Sequence, residues 1–440
     1  MKPIYTNIAL SIALSFTVAN LAEAQSNYTE LNVLAGVAHS DNISRSSGSI
    51  TDPAQEETVY LGGLDFNVDS SSSRYRLEAI GIIERRQYEK GVFDDETIGR
   101  LVGTLDWILA EETLFWNFSA NHGQEIVDPF QAITPENRED VTIVSTGPTL
   151  ILPIGARTFL NTSVSLLEAR YEKRPLDNTR LQGGLSLQRQ IAPKRTVSLN
   201  MGGSQVEYDE DQLLPEIDQL NASIGFEAET ARDEWSINLG WNNFEVRGQD
   251  GDGFLLDLAV RRALTESASL SISASSKYST NGDIFRLDQQ LESLTPDYGL
   301  FDPGALDIQS FGDVFRYDLV SIGYNQSFRR TNVNLSGSWG AEEYETTTGL
   351  DREIFAARAS LRRDLSETIS ITAFASFSSR DYDLEDRADD DSIFGLSFTA
   401  RLGRKFSLSL SARQLQRDSN LADFDYDETQ AELSFSYAVL

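Results

Sequence analysis

Between residues 31 and 439 the chain repeatedly alternates apolar and polar side chains in runs of about ten residues. Leu31, Val33, Ala35 and Val37 alternate with Asn32, Leu34 and Gly36. Leu114, Trp116, Phe118 and Ala120 alternate with Phe115, Asn117, Ser119 and Asn121. Ala268, Leu270, Ile272 and Ala274 are separated by single serines, and Phe406, Leu408, Leu410 and Ala412 by two serines and then Ser411 before Arg413. Period 2 predicts strands, because successive strand side chains point to opposite faces, whereas a helix would scatter these apolar groups around its axis. One face of each strand is therefore expected to meet lipid and the other a wet interior.

The connections follow a second alternation. Short turns fall at 69–74, 110–112, 153–157, 192–195, 230–233, 264–267, 329–332, 364–367 and 403–405, and long acidic connections lie between them at 40–56, 125–140, 279–313, 381–391 and 418–427. Short turns at one end and long loops at the other predict an all-β, antiparallel transmembrane β-barrel of the bacterial outer membrane, with periplasmic turns and acidic extracellular loops. Nine interior turns imply roughly 20 strands, within bounds of 18–22. A soluble sandwich, propeller or solenoid would use the same half-apolar strands as a core, without confining long loops to one end.

Residues 1–24 read as a secretory signal: Lys2 supplies the charge, 8–18 the apolar core and Ala22-Glu23-Ala24 the cleavage site. Residues 25–440 are then one barrel domain, since no linker interrupts the pattern and no uninterrupted apolar run is long enough for a membrane helix. Composition narrows the chemistry. With 68 acidic against 37 basic residues the net charge is −31, which speaks against nucleic acid, because phosphate backbones are held by Lys and Arg. There is no cysteine, hence no disulfide framework and no thiolate site.

The opening strand followed by His39-Ser40-Asp41-Asn42-Ile43-Ser44-Arg45 and the Ser/Gly-rich stretch 46–49 resembles the start of the β-barrel porin family associated with capsule and exopolysaccharide biosynthesis loci. The last strand, with Ala431, Leu433, Phe435, Tyr437 and Val439, departs from the common ending of outer-membrane barrels by closing on Leu440 instead of an aromatic. The resemblance implies a channel that assists export or assembly of a surface polysaccharide, working with periplasmic export machinery. A general or solute-selective diffusion porin is the alternative, and a structural or adhesive surface barrel the third.

Catalysis is not expected. His39 and His122 stand near strand ends outside any motif, no metal spacing occurs, and no cofactor is implied. The acidic runs Asp250-Gly251-Asp252-Gly253, Asp389-Asp390-Asp391 and 423–428 read as solvated loop charge, or as weak sites for divalent cations bridging to lipopolysaccharide.

The lumen offers more. Arg76, Arg86, Arg100, Arg180, Arg261, Arg358, Arg401 and Arg413 fall in inward phase. They are candidates either for wall salt bridges with Glu78, Glu84, Asp106, Asp257 or Glu432, or for hydrogen bonds to passing hydroxyls and carboxylates. Up-strands end in an aromatic beside an acid at Tyr88, Tyr171, Tyr208, Phe244, Tyr344 and Tyr382. Their phase is inward, and Tyr278 is outward. A lipid-facing girdle displaced by strand-end bulges and an aromatic ring around the pore mouth, where sugars stack, both fit that placement. The 279–313 connection, carrying Leu291, Leu294, Tyr298, Leu300 and Phe301, is a candidate for a loop folded into the lumen, or for a surface lid.

Overall fold

The computed structural model describes residues 26–49, 52–128, 130–210, 214–280, 282, 313–347 and 349–440. The export segment read at 1–24 lies outside them, as does nearly all of the 279–313 connection and its apolar residues. Ten strands run outward: β1 Ser26–Ser40, β3 Tyr75–Tyr88, β5 Leu114–Ile126, β7 Thr158–Tyr171, β9 Arg195–Tyr208, β11 Asp233–Val246, β13 Ala268–Thr280, β15 Thr331–Tyr344, β17 Ile369–Tyr382 and β19 Phe406–Ser419. Ten return: β2 Glu57–Ser71, β4 Glu96–Ala110, β6 Arg138–Gly155, β8 Asn178–Ala192, β10 Ile217–Glu229, β12 Gln249–Ala263, β14 Val314–Ser327, β16 Arg352–Asp364, β18 Arg387–Arg401 and β20 Tyr426–Ala438.

Every strand pairs antiparallel with its neighbours in sequence, and β1 pairs with β20 from Asn32 opposite Ala438 to Ser40 opposite Gln430. The result is a closed up-and-down barrel of 20 strands, with no free sheet edge at the seam. At about 4.8 Å between strands and a tilt of about 40°, a circular wall of this kind is roughly 40 Å across.

The apolar set of each strand faces out. Met201 is 63% exposed, Ile224 59% and Leu220 58%, the reverse of a soluble core. Trp107 opposite Trp116 marks one edge of this band, and Trp241 opposite Phe254 and Trp339 opposite Phe355 mark the other. Such aromatic belts sit where hydrocarbon gives way to headgroups. Above the outer belt the outward positions turn acidic, with Glu245, Asp250, Asp252, Glu343, Glu353 and Asp381 in register around the wall.

The strands climb further past the membrane than their acidic composition suggests. Asp250 to Gly253 is not a calcium-type loop but the start of β12, and Asp252 accepts a 3.0 Å bond from the Trp241 indole. The actual connection there is the two-residue turn Arg247-Gly248, with φ of 53° and 72°, a geometry that matches the twist of a hairpin. Asp389 to Asp391 likewise belong to β18, and the run 423–428 ends in β20. Acidic runs resembled loops because each strand end is solvated outside and ion-paired inside. A tag inserted at Arg247-Gly248 is expected to be accessible on intact cells, and one at the 72–74 turn only after permeabilisation. Equal accessibility at both sites would rule out this topology.

A candidate functional site at the outer mouth of the lumen

Along the spanning part of the barrel the inward positions are small and hydroxylic. Ser119 faces Ser145 at 2.6 Å, Ser273 faces Ser321 at 2.6 Å, and Ser186 bonds Asn200 at 2.6 Å. Asn117 donates to Asp106 at 2.7 Å, and Ser275 to Asp257 at 2.8 Å. Short side chains of this kind leave space along the axis, and their cross-strand bonds hold them against the wall.

All eight candidate arginines stand at inward register positions, but they divide by depth. Arg76, Arg261, Arg358 and Arg401 are exposed, and Arg401 bonds the Glu367 carbonyl near the periplasmic rim. Arg100 is half-buried. Arg86, Arg180 and Arg413 are buried at the outer mouth, where they bond Glu84 (2.6 Å), Thr280 and Gln430 respectively.

The six strand-end aromatics also take inward register, and packing covers them. Tyr88 meets Phe93 edge-on at 5.7 Å and donates to Glu96 at 2.7 Å. Phe244 lies 4.7 Å from Tyr278, Tyr344 stacks on Phe315 at 5.0 Å, and Tyr382 packs on Phe130 at 5.3 Å. Tyr171 lies under the Arg174 guanidinium at 5.9 Å, and Tyr208 borders the Val206, Ile217 and Val246 cluster. Four of the six are 8% exposed or less, so in this structure they are packing surfaces.

The recurrence of an aromatic beside an acid has a local cause. The Tyr88 amide donates to Asp95, that of Tyr171 to Asp177, and that of Tyr344 to Asp351. A carboxylate at the start of the preceding return strand, or just before it, then accepts from the amides beyond. Glu57 takes Lys90 and Val92, Glu139 takes Lys173 and Arg174, and Asp313 takes Thr346 and Thr347. Charged acceptors satisfy loop amides that the ladder no longer serves. The pattern is a loop-forming device repeated around the rim.

Tyr278 departs from its expected outward phase. β12 and β13 pair only as far out as Leu256 opposite Ser276, while β13 stays with β14 to Thr280. The top of that hairpin leans into the barrel, which carries Tyr278 to Phe244 and Thr280 to Arg180 on β8. Once a strand leaves its sheet, counting alternate residues no longer gives the face.

A second intrusion comes from the connection 127–137 after β5, which the sequence marked only as one of the long acidic connections. Asn137 gathers this loop, donating to the carbonyls of Asp128 (2.7 Å) and Ala132 (3.1 Å) and accepting from the Asp128 amide (2.9 Å). Its tip reaches the far wall. The Phe130 carbonyl accepts from Arg387 of β18 at 2.9 Å, and the Arg387 guanidinium lies 3.8 Å from the centre of the Phe424 ring. A loop from β5 touching β18, seven positions away around the wall, makes the mouth much narrower than an open circle of 20 strands.

Buried ion pairs brace the mouth around this bar. Arg387 bonds Asp389, Arg352 bonds Glu342, and Arg380 and Arg417 share Asp391. Arg174 joins Glu125 and Glu139, and Arg138 and Arg86 flank Glu96. Arg138, Arg352 and Arg387 each begin a return strand, a placement the sequence could have signalled. Among the described residues, no group of three or more His, Asp or Glu is arranged to hold a metal ion.

Residues 354–438, the last strands of the barrel, match the family described as putative beta-barrel porin 2. No curated protein matches the chain. The apoprotein form of the FrpB iron transporter from Neisseria meningitidis is 10% identical with a TM-score of 0.49, over 95% of this chain and 82% of that one. The copper transporter OprC is 11% identical with a TM-score of 0.47, over 94% and 81%. The siderophore receptor PirA from Pseudomonas aeruginosa is 12% identical with a TM-score of 0.45, over 94% and 81%. With its closed 20-strand wall, its lipid-facing band between aromatic belts and a porin-family match at its closing strands, the chain is a β-barrel channel of the bacterial outer membrane.

Proposed function

We propose that the barrel passes hydroxyl-rich solutes, and that its physiological task is to assist export or assembly of a surface polysaccharide. The observation behind this reading is the hydroxyl-lined inner wall, where Ser119, Ser145, Ser273 and Ser321 leave room for a chain of sugar rings. Hydroxyls exchange hydrogen bonds with sugar hydroxyls at little net free energy, so a polymer would slide without being trapped. The exposed guanidinium groups of Arg76, Arg261 and Arg358 would serve acidic sugars on the same path.

A second reading, a solute-selective diffusion porin, is favoured by the loop 127–137 across the mouth. Deleting the gene separates the two. Loss of cell-bound polysaccharide, restored by the intact gene, is expected for export. Unchanged polysaccharide together with slower uptake of small sugars would exclude export and leave the porin.

A further inference from the structure

The inner rim of the barrel is uneven in charge. Taken with the last three residues of the strand leading into each, the six inner connections from β2–β3 to β12–β13 carry six acids and six bases. The three that follow, β14–β15, β16–β17 and β18–β19, carry seven bases and two acids. Arg329 and Arg330 form the first of these turns, and Arg362 and Arg363 lead into the second. Arg401, Arg404 and Lys405 surround the third. The strands concerned pair in succession, so the cations form one arc. Elsewhere on the rim cations meet acids, as Lys194 meets Glu229 and Arg262 meets Asp233. In the arc Arg362 does so, 3.3 Å from Asp364. Among the described residues, no carboxylate pairs with Arg329, Arg330, Arg363, Arg404 or Lys405.

Each of the three turns also carries an exposed apolar side chain, Phe328 at 60%, Leu365 at 47% and Leu402 at 58%. All three continue the lipid-facing phase of their strands, which holds Val320 and Ile322, Leu361, and Phe394 and Leu396 respectively. Arg363 stands on that same phase between Leu361 and Leu365, which places a guanidinium at the edge of the hydrocarbon. It donates to the Thr331 hydroxyl at 3.2 Å, a bond that leaves its charge uncompensated. A long cation held there extends along the apolar surface until its head meets an opposite charge at the interface. Lys405 lies in a similar way beside the outward Tyr437 ring, 5.9 Å from its centre. The outer ends of the neighbouring strands carry outward acids, Glu343, Glu353 and Asp381, so this surface reverses sign across the membrane.

We propose that this arc binds anionic phospholipid of the periplasmic leaflet, its phosphates on the guanidinium groups and its acyl chains against Phe328, Leu365 and Leu402. The apolar tips continue the lipid-facing band, so the occupant that covers them is a membrane lipid and not an acidic periplasmic protein. The excess of unpaired cations selects phosphatidylglycerol over phosphatidylethanolamine, whose own ammonium offsets its phosphate. The inference rests on the membrane-spanning fold and does not require the transport reading. The test is native mass spectrometry of the purified full-length barrel, released from detergent micelles holding the two lipids in equal, subsaturating amounts. The barrel is expected to carry phosphatidylglycerol in preference. Arg329→Gln with Arg330→Gln and Arg404→Gln should cut that occupancy about tenfold or more, since one cation at a membrane surface is worth about fivefold. Arg157→Gln with Lys194→Gln and Arg232→Gln, on the balanced part of the rim, should leave it unchanged. Leu402→Asp should lower it severalfold while the heat-modifiable gel shift shows a folded barrel. Equal occupancy by the two lipids would overturn the proposal and leave the arc to an acidic protein. Unchanged occupancy in the arc variant, or equal loss in both triple variants, would overturn the place given to the site. Displacement of the lipid by glycerol 1-phosphate at the same concentration would assign the cations to a free phosphate and overturn the role of the apolar tips.

Discussion

Replacing residues 128–136 with a short Gly-Ser bridge is expected to raise single-channel conductance in planar bilayers at least about twofold, because ion flow follows the open cross-section of the lumen. The loop is anchored at both ends. Asn137 ties its base together, and Arg387 holds its tip through the Phe130 carbonyl and ring. Both anchors stand at the outer ends of the strands, beyond the lipid-facing band, and both remain in the variant, so the barrel should still form. Phe130→Ala should act in the same direction with a smaller effect, since it removes the ring packed on Tyr382 but leaves the backbone bond to Arg387. A second readout is selectivity: without the bar, block by a neutral hexasaccharide should become weaker and briefer. Conductance and block both unchanged in a folded deletion variant would mean that the passage runs elsewhere through the mouth.

The wall was legible in the sequence because lipid on one side and water on the other impose strict period 2. Leu408 and Leu410 against Ser407 and Ser409 allow no other reading, and each short turn marks a reversal that can be counted. The mouth was less legible because its partners are distant in sequence and periodicity carries no record of them. Phe130 and Arg387 are separated by 257 positions, and Ser40 and Glu428 by 388. Composition misled at the same place. Acidic runs such as Asp389 to Asp391 looked like solvated loops, whereas Asp389 and Asp391 point inward to Arg387, Arg380 and Arg417 and only Asp390 keeps the outward phase. The strand-end aromatics take inward register, yet their regular spacing reflects a repeated loop geometry set by Asp95, Asp177 and Asp351. Phase tells which way a side chain points, but not what will be lying on top of it.

Glu342→Leu is expected to lower the unfolding free energy of the barrel in lipid vesicles by about 3–5 kcal/mol, among the largest single-residue effects in the protein. Glu342 stands directly opposite Arg352 across β15 and β16, and the guanidinium grips it with two parallel bonds of 2.8 Å. The two side chains are 6% and 3% exposed, beneath the stacked rings of Tyr344 and Phe315. Removing the acid strips a buried cation of its carboxylate, and the wall there offers little water to replace it. The double variant Glu342→Leu with Arg352→Met should recover to within about 1 kcal/mol of the parent, because matched apolar groups remove both desolvation terms together. A denaturant titration of the parent, Glu342→Leu, Arg352→Met and the double variant therefore yields the coupling directly. A single-variant loss below about 1 kcal/mol would place the pair in the range of exposed surface bridges and show that water penetrates the mouth. Full recovery in the double variant, with altered conductance, would separate two roles that the structure superimposes. The ion pairs would then serve to fix the loops over the lumen, with the hydrogen-bonded wall alone holding the barrel closed.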